Sequence, residues 1–176
     1  MSDFARYSRS LLEAALSEFE RSKLLLGEPK QVAARSCLAH SLYFLEAEVE
    51  YICQHFSNMA LLSVHERGLL LQRPVRLKNG RFVLENGESY SRISERITFL
   101  IKKFSGEEIR DEDWWAALAM SIKIRNSITH PKGSVQLTDA QLQLSIKAVA
   151  SAVDALYRHV FNKPHPPSAK AIKAAS

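Results

Sequence analysis

The chain has 176 residues, with 24 Lys+Arg against 19 Asp+Glu, a formal net charge of +5 and 46% apolar residues. That length suits one domain burying about two-thirds of its unfolded surface, and the composition excludes a disordered chain, a collagen-like fibre and a disulfide-stapled miniprotein. No apolar run nears the ~18 residues that span a bilayer, and the opening Met1-Ser-Asp-Phe-Ala-Arg holds an acid and lacks the apolar core of a signal peptide. A soluble, cytoplasmic protein without membrane contact is expected, its Cys37 and Cys53 reduced and buried.

The first helix is expected from about Asp3, with Phe4, Tyr7, Leu11, Leu12, Ala15, Leu16 and Phe19 at helical spacing behind Ser2 and Asp3, until Gly27-Glu28-Pro29 stops it. Pro29 then suits the first turn of a second helix with the stripe Val32, Leu38, Leu42, Leu45, Val49, Ile52 and Phe56. The pattern leaves open whether this helix continues through residues 61–71. Val75-Arg-Leu-Lys and Arg81-Phe-Val-Leu flank Asn79-Gly80, the strongest short-range signal for a two-residue β-hairpin. A third helix is predicted over about 91–104, ended by Gly106, and a fourth from behind Asp111-Glu112-Asp113 to Thr129-His130-Pro131. Thr138-Asp-Ala-Gln141 is a capping box opening a fifth, with Leu142, Ile146, Val149, Val153, Leu156, Tyr157 and Val160 inward. The reading is an all-α bundle of about five helices with a short β-hairpin insertion, one domain over 1–162. Residues 163–176, with Pro164, Pro166, Pro167 and three Lys, are expected to be a flexible basic tail.

Charge is uneven along the chain. Residues 65–110 carry 10 Lys+Arg against 6 acids, whereas residues 111–162 carry 5 of each. The chain has no Gly-rich phosphate loop, Gly-x-Ser-x-Gly elbow, His-Glu-x-x-His or paired-Cys motif. His40, His55 and His65 read as surface or packing histidines, Glu46, Glu48 and Glu50 as a solvated face, and Trp114-Trp115 as neighbours pointing different ways. One segment stands apart, Ile124-Arg125-Asn126-Ser127-Ile128-Thr129-His130-Pro131. Asn126 and His130 are i, i+4 on one face, with the long Arg125 one position round. A permanently charged fork, an amide and an imidazole titrating near neutrality suit a phosphodiester. The same residues also suit a plain helix C-terminus, where Pro ends the helix and His meets the dipole favourably.

Arg125-Asn126-x-x-x-His130, late in the penultimate helix of a small all-α bundle, resembles the Arg-x(4–6)-His signature of the HEPN superfamily, the higher eukaryotes and prokaryotes nucleotide-binding domain. The resemblance covers the motif and the helix order over about 3–162 and leaves out the hairpin and the tail. It implies a homodimer with two motifs facing one cleft and, in many members, a metal-independent endoribonuclease without a cofactor, in settings such as toxin–antitoxin pairs or phage defence. In that reading RNA is cleaved by its own 2′-hydroxyl, with Arg125, Asn126 and His130 catalytic. Arg73, Arg76, Lys78 and Arg81 of the hairpin, and Lys132 beside the motif, are the candidate RNA-binding residues. Some members instead have a Tyr two residues after the His, modified by a nucleotidyltransferase partner; Lys132 stands there here. The alternatives are a non-catalytic module of the same fold that dimerises or binds a protein partner such as a cognate antitoxin, and a DNA-binding protein, which the lack of a Lys/Arg-rich recognition face disfavours.

Overall fold

Apolar residues that recur every three to four positions bury a face only if another helix covers it, and the computed structural model shows how they do so over residues 3–130 and 135–175. The described elements are α1 (Asp3–Leu24), α2 (Gly27–Phe56), α3 (Val64–Leu71), β1 (Val75–Lys78), β2 (Arg81–Leu84), α4 (Ile93–Ser105), α5 (Asp113–Thr129), α6 (Asp139–Phe161) and α7 (Pro166–Ala174). The all-α class is therefore met with seven described helices rather than five, and with one two-stranded antiparallel hairpin. No described helix is long and apolar enough to cross a membrane.

α2 and α6 form the centre. α2 packs against α1, α3, α4, α5 and α6, while α6 meets α1, α2, α4, α5 and α7. Leu38, Leu42, Leu45, Val49 and Ile52 of α2 and Leu142, Ile146, Val149, Val153 and Leu156 of α6 are all buried, as their spacing predicts. Val32 and Tyr7 fall outside the core; both are exposed at helix surfaces. Cys37 and Cys53 are free and buried, and burial pushes their thiols up to about 12 and about 11, so both are neutral.

One segment that the sequence pattern left open is decided by the structure, and one differs from the expectation. The second helical stretch breaks after Phe56, and a Ser63/Glu66 capping box restarts it as α3: Ser63 Oγ accepts from Glu66 N at 3.2 Å and Glu66 Oε2 from Ser63 N at 2.6 Å. The expected flexible tail instead contains α7. Pro166 and Pro167 occupy its first turn, where a missing N–H costs nothing, and the small Ser168, Ala171 and Ala175 are buried.

The hairpin pairs Val75 with Leu84 through Lys78 with Arg81, and Asn79 and Gly80 both have positive φ, as its tight turn needs. It lies against α3 at Gly68, where a Cβ would come 2.7 Å from a Val75 methyl.

Candidate functional site

α5 is the least committed of the long helices: within it only Leu118 and Ser121 are fully buried, and Ser121 Oγ meets Ser145 Oγ of α6 at 2.8 Å. Its other side faces a cleft of about 1290 Å³ bounded by α2, α5 and the start of α4. Arg125, Asn126 and His130 all line this cleft, so the structure brings the sequence motif together on one wall. At the end of α5 His130 N donates to Asn126 O at 3.0 Å, closing the last turn and leaving the imidazole exposed. Lys132 lies outside the described residues.

Glu46 fixes Arg125. Arg125 Nη2 donates to Glu46 Oε1 at 3.0 Å, and Nε is shielded from solvent with no partner among the described residues. One turn along α2, Glu50 holds Arg96 of α4, whose side chain is almost wholly buried. Two carboxylates at i, i+4 thus each grip an arginine from a different helix along the same cleft. An Arg fixed from one side by a carboxylate presents its remaining N–H groups in a set direction, which suits a phosphate oxygen.

The opposite wall supplies aromatic surface. Tyr43 is 47% exposed and Tyr90 87% exposed, and both line the cleft with Tyr7. Lys123 and Arg92, neither ion-paired to a described residue, add positive charge at its rim. Just before α6, Gln31 of α2 grips the chain: its Nε2 donates to Leu137 O at 3.2 Å and its Oε1 accepts from Leu137 N at 2.8 Å. These contacts tether the start of α6 to α2.

The hairpin residues are elsewhere. None of Arg73, Arg76, Lys78 and Arg81 lines the motif cleft. Arg73 straps the base of the hairpin, donating to Glu85 O at 2.8 Å and Asn86 Oδ1 at 2.7 Å, while Arg76 and Lys78 both pair with Glu85. Lys78 and Arg76 hold the Glu85 carboxyl below its ordinary range. Arg81 is exposed near the turn.

The three glutamates read as one solvated face behave differently. Glu46 and Glu50 line the cleft, but Glu48 points the other way and is buried, accepting from Ser8 Oγ and, at 2.8 Å, from Tyr157 Oη. Its carboxyl is raised by desolvation, against the hydrogen bonds from Ser8 and Tyr157. His165 Nε2 lies 3.9 Å away, its Nδ1 2.8 Å from Ser168 Oγ, and burial pushes this imidazole down to about 4, against the pull of Asp154. This cluster joins α1, α2, α6 and α7 through the core and is structural.

The sequence singles out Arg125, Asn126 and His130, which line one cleft, but not Glu46, Tyr43 and Tyr90 of the same cleft, nor Gln31 beside it. For Glu46 the signal was present: its i, i+4 relation to Glu50 marks a shared face, whereas Glu48 lies nearly opposite. Among the described residues, no three His, Cys, Asp or Glu gather as a set of metal ligands. No protein-family model matches the chain, and no curated protein sequence and no solved structure matches it either.

Proposed function

We propose that the protein is an endoribonuclease of HEPN type that needs no metal ion and acts as a homodimer. The observation that supports this most is the convergence of Arg125, Asn126 and His130 on one large cleft, with Arg125 braced by Glu46. In the proposed reaction the ribose 2′-oxygen attacks the adjacent phosphorus, the 2′-O–P bond forms and the P–O5′ bond breaks. The 2′-hydroxyl proton passes to a base and the leaving 5′-oxygen receives one, giving a 2′,3′-cyclic phosphate and a 5′-hydroxyl. Arg125 stabilises charge on the pentacoordinate phosphorus, Asn126 orients the phosphate, and His130 carries a proton. One imidazole serves one of the two proton transfers, so a symmetric pair of chains, with two His130 side chains, supplies base and acid together.

The Arg125–Glu46 ion pair also favours a second reading, a non-catalytic module in which Arg125 is a structural bridge between α5 and α2. The experiment is cleavage of RNA in excess EDTA by the wild-type protein, His130→Ala and Arg125→Ala. The nuclease reading expects cleavage by the wild type alone; cleavage that survives both substitutions, or that EDTA abolishes, overturns it.

A further inference from the structure

A second groove adjoins the motif cleft at the start of α4. Arg92 and Ser94, at the start of that helix, line both the cleft and this groove of about 710 Å³, which runs along the outer side of α4 towards α5. The second groove carries Arg92, Lys102, Lys103 and Arg110 against Glu66 and Glu95. Lys103 is neutralised by Glu66 at 2.8 Å and Lys102 by Glu108 at 2.7 Å. Arg92 and Arg110 are exposed and have no ion pair within 4 Å to a described residue; Glu108, already paired with Lys102, is close enough to Arg110 to feel its charge, and both guanidinium groups keep N–H donors for a ligand. Trp115 forms part of the same groove, half-buried and packed edge-on against Trp114 at 5.7 Å, while Trp114 lines a separate groove between the start of α5 and α6. The adjacent tryptophans therefore serve different surfaces.

We infer that the second groove holds the unpaired RNA flank of the strand whose scissile phosphate lies at Arg125 and His130, with Arg92 and Arg110 on phosphates and Trp115 stacked on a base. The inference rests on the nuclease reading for what occupies the motif cleft, and it adds the residues that would hold the strand beyond the scissile phosphate. Three observations carry it. The two grooves adjoin at Arg92 and Ser94, which line both, so a strand leaving the motif cleft over the start of α4 meets the second groove. Unpaired arginines spaced along a groove are what a polyanion needs. Exposed tyrosines in the first groove and a tryptophan in the second offer faces for stacking, which unpaired bases can use and the interior of a duplex cannot. The motif cleft, larger than the ~300–1,000 Å³ of an ordinary small-molecule site, has room for more than one nucleotide.

The test is binding of a fluorescent 2′-O-methyl oligoribonucleotide of about 12 residues, which lacks the attacking hydroxyl, across a salt series, beside the same sequence as a duplex and an acidic peptide of equal charge. The single strand is expected to bind best. Trp115→Leu should weaken it about tenfold, and Arg110→Ala should weaken it and reduce the salt slope by about 0.7. Arg110 is exposed, so its variant folds even if Trp115→Leu does not. Wild-type affinity in Arg110→Ala, or equal binding of duplex or peptide, overturns the inference. Unmodified RNA, assayed in parallel with His130→Ala, separates the two ideas. Cleavage that depends on His130 with wild-type binding in the groove variants sinks the groove alone. Groove-dependent binding without cleavage sinks the nuclease reading and leaves the groove standing.

Discussion

Glu46→Gln keeps the length of the side chain and removes the charge that holds Arg125 Nη2. Because that pair is partly exposed, the loss of stability should be small, under about 1 kcal/mol. In the proposed reaction the guanidinium acts on charge that develops in the transition state, so misdirecting Arg125 should cost far more in rate, about 10- to 100-fold in kcat with little change in KM. Steady-state cleavage assays and thermal melts on the same preparation check this; a variant that melts lower but cleaves normally makes the bridge purely structural. His165 gives a residue-scale prediction of another kind. Its folded pKa, about 4, lies below its ordinary 6.5, so its contribution to stability is complete above pH 6.5 and is lost as pH falls through 4. Glu48, shifted upward beside it, runs in the opposite sense, contributing stability at low pH that is lost as pH rises. Between pH 7 and 4.5 the wild type should lose on the order of 2–3 kcal/mol more than His165→Asn, read from denaturant unfolding at both pH values. Equal losses would show that His165 titrates normally.

At the level of elements, α7 offers the sharpest disagreement with the sequence reading. Deleting residues 163–176 removes buried Ser168, Ala171 and Ala175 and uncovers Glu48, and should cost about 2–4 kcal/mol. A mobile tail could be removed at a cost within about 0.5 kcal/mol, so urea unfolding of the shortened chain decides between them. Three prolines in four residues read as extended chain, yet two of them start a helix, and small residues conceal an apolar face that larger ones would advertise. α3 was legible in principle, since Ser63-Val-His-Glu66 has the capping-box pattern, but its apolar residues continue from α2 without a change of period. Elsewhere local signals and tertiary structure agree. Gly106 takes up a left-handed cap, Thr138 and Gln141 form their box, and Asn79-Gly80 turns the hairpin. Glu48 was misread because α2 is covered on opposite sides, so no single polar face exists to assign.

For the whole molecule, the net charge of +5 matters less than where unpaired charge lies. In the hairpin Glu85 offsets one of the two charges of Arg76 and Lys78, and none of the four basic residues reaches the motif cleft, whereas Arg92 and Arg110 lie at the cleft mouth and beside α4. The motif was readable because its residues are contiguous on one helix. The wall opposite was not, because α2, the segment before α4 and α5 meet only in three dimensions. In the proposed reaction RNA bound at the Arg125–His130 cleft is cleaved by the RNA's own 2′-hydroxyl. The most direct test is end analysis of RNA incubated with the wild-type protein in EDTA. The proposed reaction leaves 2′,3′-cyclic phosphate and 5′-hydroxyl ends, absent with His130→Ala. Products bearing 5′-phosphate and 3′-hydroxyl ends, or no products from the wild type, would contradict it.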